Sequence, residues 1–279
     1  MLFSNALGMV VHNKNSYYIQ MKIPHLIAHR GYAKHYPENT LLALEAALQA
    51  GACYIEFDVQ LTADGVPVVC HDATLQRTAG IDQSLLSMTA EQLKGVYVNE
   101  TARLGDKFSD VAIPSLADVV DLLKKWPHAT AFVEMKEESL KAFGIENVVK
   151  AILKVLDPAL DQCVLISFDR LAVRCARAMQ QVRVGWVMHQ WDVATRSAAT
   201  ALAPNYLFCN YKKIPTDDVL WIGPWQWALY EVTNPEIALL LAARGASLIE
   251  TMAIGEMLRY PLLRKQGCFG QPVAHDKPL

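Results

Sequence analysis

Two short stretches carry more ionisable groups than their apolar surroundings should tolerate: CYIEFDVQL, residues 53–61, and AFVEMKEE, residues 131–138. Side chains on a strand alternate between faces, so Glu56 and Asp58 share one face while Ile55, Phe57 and Val59 share the other. The same alternation sets Glu134 and Lys136 together, opposite Val133 and Met135. A buried charge without a partner is strongly unfavourable, so something must compensate these acids. Glu56, Asp58 and Glu134 bring three negative charges, and Arg30 and Lys136 bring two positive ones, leaving the cluster at −1. One divalent cation turns that into +1, the complement of a phosphodiester, which is singly negative at neutral pH. Oxygen ligands without a thiolate suit a hard cation, Mg²⁺ or Ca²⁺. The competing reading is a set of salt bridges inside a barrel; two charged strands instead of one weigh against it.

His29 follows the first apolar segment and His71 follows the hairpin after the second. An imidazole titrates near neutrality, so two of them beside the carboxylates can act as general base and general acid. His25, His35, His128 and His189 lack such neighbours in sequence and read as structural or surface residues.

These groups need a scaffold that brings strand ends together. From Ile23 onward short apolar segments alternate with helical patterns, which predicts βα units around a parallel sheet. Eight barrel strands are expected, near 25–29, 53–59, 130–136, 163–167, 183–188, 206–210, 226–232 and 247–251. That makes an α/β protein, a (β/α)8 TIM barrel whose active site lies at the C-terminal strand ends. Asn39 or Thr40 caps a helix through Leu41, Leu44 and Leu48 that ends at Gly51, and Thr89 with Gln92 and Ser115 with Asp118 form capping boxes. A hairpin is expected over 65–70. Residues 74–112 break the βα rhythm and read as a small insertion after it. The domain reading is an N-terminal extension, 1–22, disordered or an upstream-start artefact, followed by one barrel domain, 23–279.

The acidic and basic side chains nearly balance, with a net charge of −2 and no long run, of about five or more, of like charges, which disfavours a nucleic-acid partner. No apolar run is long enough to span a membrane. The six cysteines form no CxxC pair and mostly sit in apolar segments, so they read as free core thiols of a cytoplasmic protein.

HRG at His29–Gly31, PENT at Pro37–Thr40, EFD at Glu56–Asp58, HD at His71–Asp72 and EMK at Glu134–Lys136 resemble, in order and spacing, the motifs of the glycerophosphodiester phosphodiesterase family. Weaker agreement, in RTAG at 77–80, IPSL at 113–116 and SF at 167–168, extends the resemblance over roughly 23–258. It implies a metal-dependent hydrolase that releases glycerol 3-phosphate and an alcohol from a small-molecule glycerophosphodiester. By position, His29 and His71 become base and acid, and Glu56, Asp58 and Glu134 the ligands of one Mg²⁺ or Ca²⁺. Arg30 and Lys136 hold the phosphoryl oxygens, and Glu38 supports the first loop. The chain departs from the family late: YEVT at 230–233 replaces a usual WTVN, and Glu250–Thr251 stands where TD is common. Glu231 is then an extra acid toward the alcohol headgroup, a setting for choline or ethanolamine. Trp225 and Trp227 supply either an aromatic wall or buried core. The alternatives are a lysophospholipase D-like enzyme and a catalytically inactive barrel that binds phosphodiesters. The oligomeric partner is left open.

Overall fold

The computed structural model describes residues 22–269. In chain order its strands are β1 (His25–Ala28), β2 (Tyr54–Leu61), β3 (Pro67–Val69), β4 (Thr130–Met135), β5 (Cys163–Ser167), β6 (Arg183–Val187), β7 (Tyr206–Asn210), β8 (Gln226–Tyr230) and β9 (Leu248–Thr251). All but β3 are parallel, and β1 pairs with both β9 and β2, which closes an eight-stranded barrel. β3 is the antiparallel return of a hairpin on β2. Every expected barrel strand is present, with ends displaced by no more than two residues.

Strand alternation separates two apolar layers. Ile55, Phe57 and Val59 face outward and pack with Leu44, Leu48, Val119 and Leu123 under the helices Leu41–Gln49 and Leu116–Lys125. Inside the barrel, Ile27, Phe132, Val164, Phe208 and Leu248 form a plug, with Phe132 meeting Tyr206 and Phe208 edge-on at 5.0 and 5.2 Å. Along each charged strand the apolar or aromatic lumen residue precedes the acid: Tyr54 before Glu56 and Asp58, Phe132 before Glu134, Leu248 before Glu250. The lumen is therefore apolar toward the N-terminal strand ends and acidic toward the C-terminal ends.

Thr40 caps its helix by accepting a hydrogen bond from the Ala43 amide, and both capping boxes form. Trp225 and Trp227 lie between strands and helices, as core. Segment 74–112 holds only short helical turns, packed on a small core of Leu75, Leu85 and Leu93 against Val68 and Cys70.

The free-thiol expectation fails for one pair. Cys53 and Cys268 form a disulfide across 215 residues, their Cα atoms 5.2 Å apart, because the chain returns after its last helix to the start of β2. Cys70, Cys163, Cys175 and Cys209 are free. Among the described residues no helix is long and apolar enough to cross a membrane. The expected N-terminal extension, apart from Lys22, lies outside the described residues.

Candidate active site

The loop after β1 is shaped by backbone as much as by side chains. Arg30 and Gly31 both have positive φ, 54° and 78°, and a Cβ on Gly31 would sit 2.5 Å from the Ala43 carbonyl carbon. Only glycine fits there. The turn aims the Arg30 amide at Glu56 Oε2, 3.0 Å away. Asn39, also left-handed at φ 57°, clamps Asp58 reciprocally: its Nδ2 donates to Asp58 Oδ2 at 2.8 Å, and its Oδ1 accepts from the Asp58 amide at 3.1 Å.

Glu56, Asp58 and Glu134 each offer an oxygen within 4.8 Å of the others, all three buried. Lys136, just beyond the end of β4, lies 3.2 Å from Asp58 and 2.8 Å from Glu134. Arg30 approaches Asp58 at 3.2 Å and Glu38 at 2.9 Å. The chain of ion pairs continues from Glu38 to Arg77 at 2.7 Å, from Arg77 to Asp72 at 2.6 Å, and from Asp72 Oδ1 to His71 Nδ1 at 2.6 Å. Glu38 thus joins both cations and the loop carrying His71. Asp72, Arg77 and Asn39 take part in this network although strand reasoning assigned them no role; the motifs HD, RTAG and PENT contain them.

The cations are too few for the acids. Burial would raise Asp58, yet Lys136 and Arg30 hold its carboxyl well below the usual range. Burial and the charge of Asp58 push Glu134 up to about 7 despite Lys136. Burial and Asp58 drive Glu56 well above the carboxylate range, and burial and Glu134 do the same to Glu250. Glu250, 4% exposed on β9, is a fourth carboxylate of the lumen. Its sequence signals were strand alternation within LIET and its place where the family commonly has TD. With it the formal charge of the cluster, Arg30 and Lys136 included, is −2 instead of −1. Glu56 Oε1 is buried without a hydrogen-bond partner. An orphaned carboxylate oxygen among all-oxygen donors fits a hard divalent cation.

His29 stands beside the triad, its Nε2 3.9 Å from Glu56 Oε2. Burial and Arg30 push its imidazole down to about 3, which keeps it neutral. His29, His71, Arg30, Lys136 and Glu250 open onto one cavity of about 310 Å³, walled on the far side by Phe168, Phe208 and Tyr230. Glu231 stands at its rim, half-exposed and 3.4 Å from Lys212. A wider groove of about 750 Å³ runs between the helices Arg170–Met179 and Val193–Leu202, but its one acid, Asp169, caps the first of them. The acids, histidines and basic side chains gather instead on the smaller cavity.

Residues 29–223 match the sequence pattern of the glycerophosphoryl diester phosphodiesterase family. A glycerophosphodiester phosphodiesterase of Caldanaerobacter subterraneus is 33% identical over 188 residues, 65% of this chain and 75% of that protein. Glycerophosphodiester phosphodiesterase 1 of Bos taurus is 38% identical over 170 residues, 60% of this chain and 50% of that one. Among solved structures, an Oleispira antarctica phosphodiesterase in complex with the product sn-glycerol-3-phosphate superposes with a TM-score of 0.74 at 23% identity, covering 85% of this chain and 96% of that one. A glycerophosphodiester phosphodiesterase from Agrobacterium tumefaciens gives 0.69 at 20% identity, covering 85% and 100%. At these identities the structural agreement is one of fold.

Proposed function

Because the chain belongs to the glycerophosphoryl diester phosphodiesterase family, we propose that it hydrolyses glycerophosphodiesters to glycerol 3-phosphate and an alcohol, within one barrel domain carrying an insertion at 74–112. The observation that carries this reading is the buried Glu56–Asp58–Glu134 triad, short of positive charge and flanked by two histidines on one cavity. The product bound to the Oleispira antarctica phosphodiesterase supports glycerol 3-phosphate as the phosphorylated product.

Glu56, Asp58 and Glu134 would hold one Mg²⁺ or Ca²⁺, which when bound supplies Lewis-acid stabilisation of charge on the phosphoryl oxygens. Arg30 and Lys136 present further donors to the same oxygens. Glu38 fixes the Arg30 guanidinium from behind. His29, neutral at working pH, accepts the proton of the attacking group, either water or the neighbouring glycerol hydroxyl. Asp72, 2.6 Å from Nδ1, orients the His71 ring, which, when protonated on both nitrogens, gives its Nε2 proton to the departing alcohol. Glu231, at the rim, faces the alcohol headgroup and favours a cationic one.

A second reading, hydrolysis of lysophospholipids by the same groups, draws support from Leu171 and Val193. They are 59% and 81% exposed in the first turns of the helices that follow β5 and β6, on the mouth side of the barrel. On compartment the thiols divide. Four free cysteines fit a cytoplasmic protein, whereas the Cys53–Cys268 bond fits an oxidising one; trapping thiols at lysis and mapping that pair decides between them.

The test is glycerol 3-phosphate release from glycerophosphocholine, glycerophosphoethanolamine and glycerophosphoglycerol, with Mg²⁺, Ca²⁺ or chelator, with lysophosphatidylcholine as a parallel substrate. Chelator-sensitive turnover lost in His29→Ala and in His71→Ala is expected. Folded, metal-loaded protein that turns over none of these leaves the inactive, phosphodiester-binding barrel.

A further inference from the structure

Glu250 has no part in the ligand triad, and its side chain makes no hydrogen bond or ion pair with the described residues. It nevertheless lies buried on β9, two strands from Glu56 across β1, and opens onto the catalytic cavity. One donor atom each from His29, Glu56 and Glu250 lies within 4.8 Å of the other two. Glu56 Oε2 already accepts the Arg30 amide, but Oε1 is buried and unpartnered, and so is His29 Nδ1. We propose that His29, Glu56 and Glu250 form a second cation site, sharing Glu56 with the first and suited to an ion that binds imidazole nitrogen as well as carboxylate, such as Zn²⁺, whose occupancy silences the enzyme.

The selectivity follows from the donors. The triad Glu56–Asp58–Glu134 offers oxygen alone and suits Mg²⁺ or Ca²⁺. One imidazole with two carboxylates is a set that zinc takes readily, at open sites that keep a position for water. Charge permits both ions: four carboxylates against Arg30 and Lys136 leave −2, one divalent ion brings the cavity to neutrality, and an incoming phosphodiester meets the positive charge of the second. The effect on turnover rests on the assignment of His29 as the base. A coordinated imidazole has given up the lone pair that would accept the proton, so an ion here inhibits without displacing the first.

The experiment is calorimetric titration of Zn²⁺ into chelator-stripped protein resaturated with Mg²⁺, with bound metals counted by elemental analysis. One equivalent of Zn²⁺ is expected beside one of Mg²⁺. Glu250→Gln and His29→Gln should each weaken zinc by about tenfold or more while leaving the Mg²⁺ count at one. The zinc-edge absorption spectrum of the unaltered protein should show a single imidazole, a readout that holds even if a variant fails to fold. The proposal is overturned if Zn²⁺ does not bind, if it merely replaces Mg²⁺, if both variants bind it undiminished, or if the spectrum lacks nitrogen. Zinc bound in this way by protein that turns over no phosphodiester would sink the hydrolase reading and leave the site standing. Turnover unaffected by zinc, with no second equivalent bound, would do the reverse.

Discussion

Lys136→Met removes the ammonium that lies 3.2 Å from Asp58 and 2.8 Å from Glu134 and keeps most of the side-chain volume. Among the described residues Arg30 is then the one cation within ion-pair distance of the four lumen carboxylates. Taking one partner from a buried pair costs about 3 to 5 kcal/mol because the other charge is stranded. At roughly 2 to 4 °C per kcal/mol for a domain of this size, the metal-free variant should melt about 6 to 20 °C below the parent. Glu134 sets the pH dependence. Its carboxyl is pushed to about 7 in the folded chain, above its unfolded value, so the folded state binds the proton more tightly and stability falls as pH rises from about 4.5 through 7. Without Lys136 the folded value climbs further, so the gap between variant and parent should widen above pH 7. Saturating Mg²⁺ or Ca²⁺ should then stabilise the variant more than the parent, since the ion no longer competes with an ammonium; a hundredfold excess over Kd is worth about 2.7 kcal/mol. Thermal melts at pH 6, 7 and 8.5, with chelator and with each ion, measure both effects. Metal-free variant and parent melting together, or equal stabilisation of the two by the ion, would refute the idea that Lys136 holds the place of missing positive charge.

Three further outcomes test the scaffold. Burial alone would raise Glu256, but His35, Tyr32 and Lys34 hold it down to about 2; its contribution is thus present above the unfolded value near 4.5 and lost as pH falls toward 2. Glu256→Gln should cost about 1 to 2 kcal/mol in urea unfolding at pH 7, and only a small part of that at pH 2.5; a gap that ignores pH defeats this account. Reduction of Cys53–Cys268 opens a loop of 215 residues and should cost roughly 2 to 5 kcal/mol, seen as a lower Tm with dithiothreitol, while turnover at room temperature stays unchanged because the bond lies at the far end of the barrel from the cavity. Gly31→Ala combines a positive φ with contact against the Ala43 carbonyl and should cost about 3 kcal/mol or more; a variant as stable and active as the parent means that the loop after β1 can reorganise.

The barrel was legible because its strands are short apolar runs with a period of two. The period that sends Ile55, Phe57 and Val59 outward sends Glu56 and Asp58 inward, and both sets are where it puts them. Caps at Thr40, Thr89 and Ser115 were legible for a similar reason: each is decided within four residues. Pairings set by the closed fold were not. Cys53 and Cys268 meet only because the chain end returns to the base of β2, and no spacing rule connects residues so far apart. The Glu38–Arg77 pair depends on how the irregular 74–112 segment folds back over the β1 loop. Glu250 stood on a four-residue strand, too short for alternation to separate a lumen acid from a rim one.

Missing Glu250 changed the charge count, and with it the character of the site. With three carboxylates the cavity looked one cation short; with four, the two basic side chains leave it two charges negative. The order of residues along the strands makes that deficit matter. Phe132, Tyr206 and Phe208 pack together in the lumen below the acids, and the mutual repulsion of these buried carboxylates is screened less than at an open surface. Protons relieve it in the metal-free protein, which is why Glu56, Glu134 and Glu250 are all raised while Asp58, held between Lys136 and Arg30, is not. A cation entering from the mouth must displace those protons. Ion binding should therefore release protons and tighten with rising pH, observable as a buffer-dependent heat of Mg²⁺ binding at pH 7. A heat independent of the buffer would mean that the carboxylates were already ionised and that the deficit is met some other way.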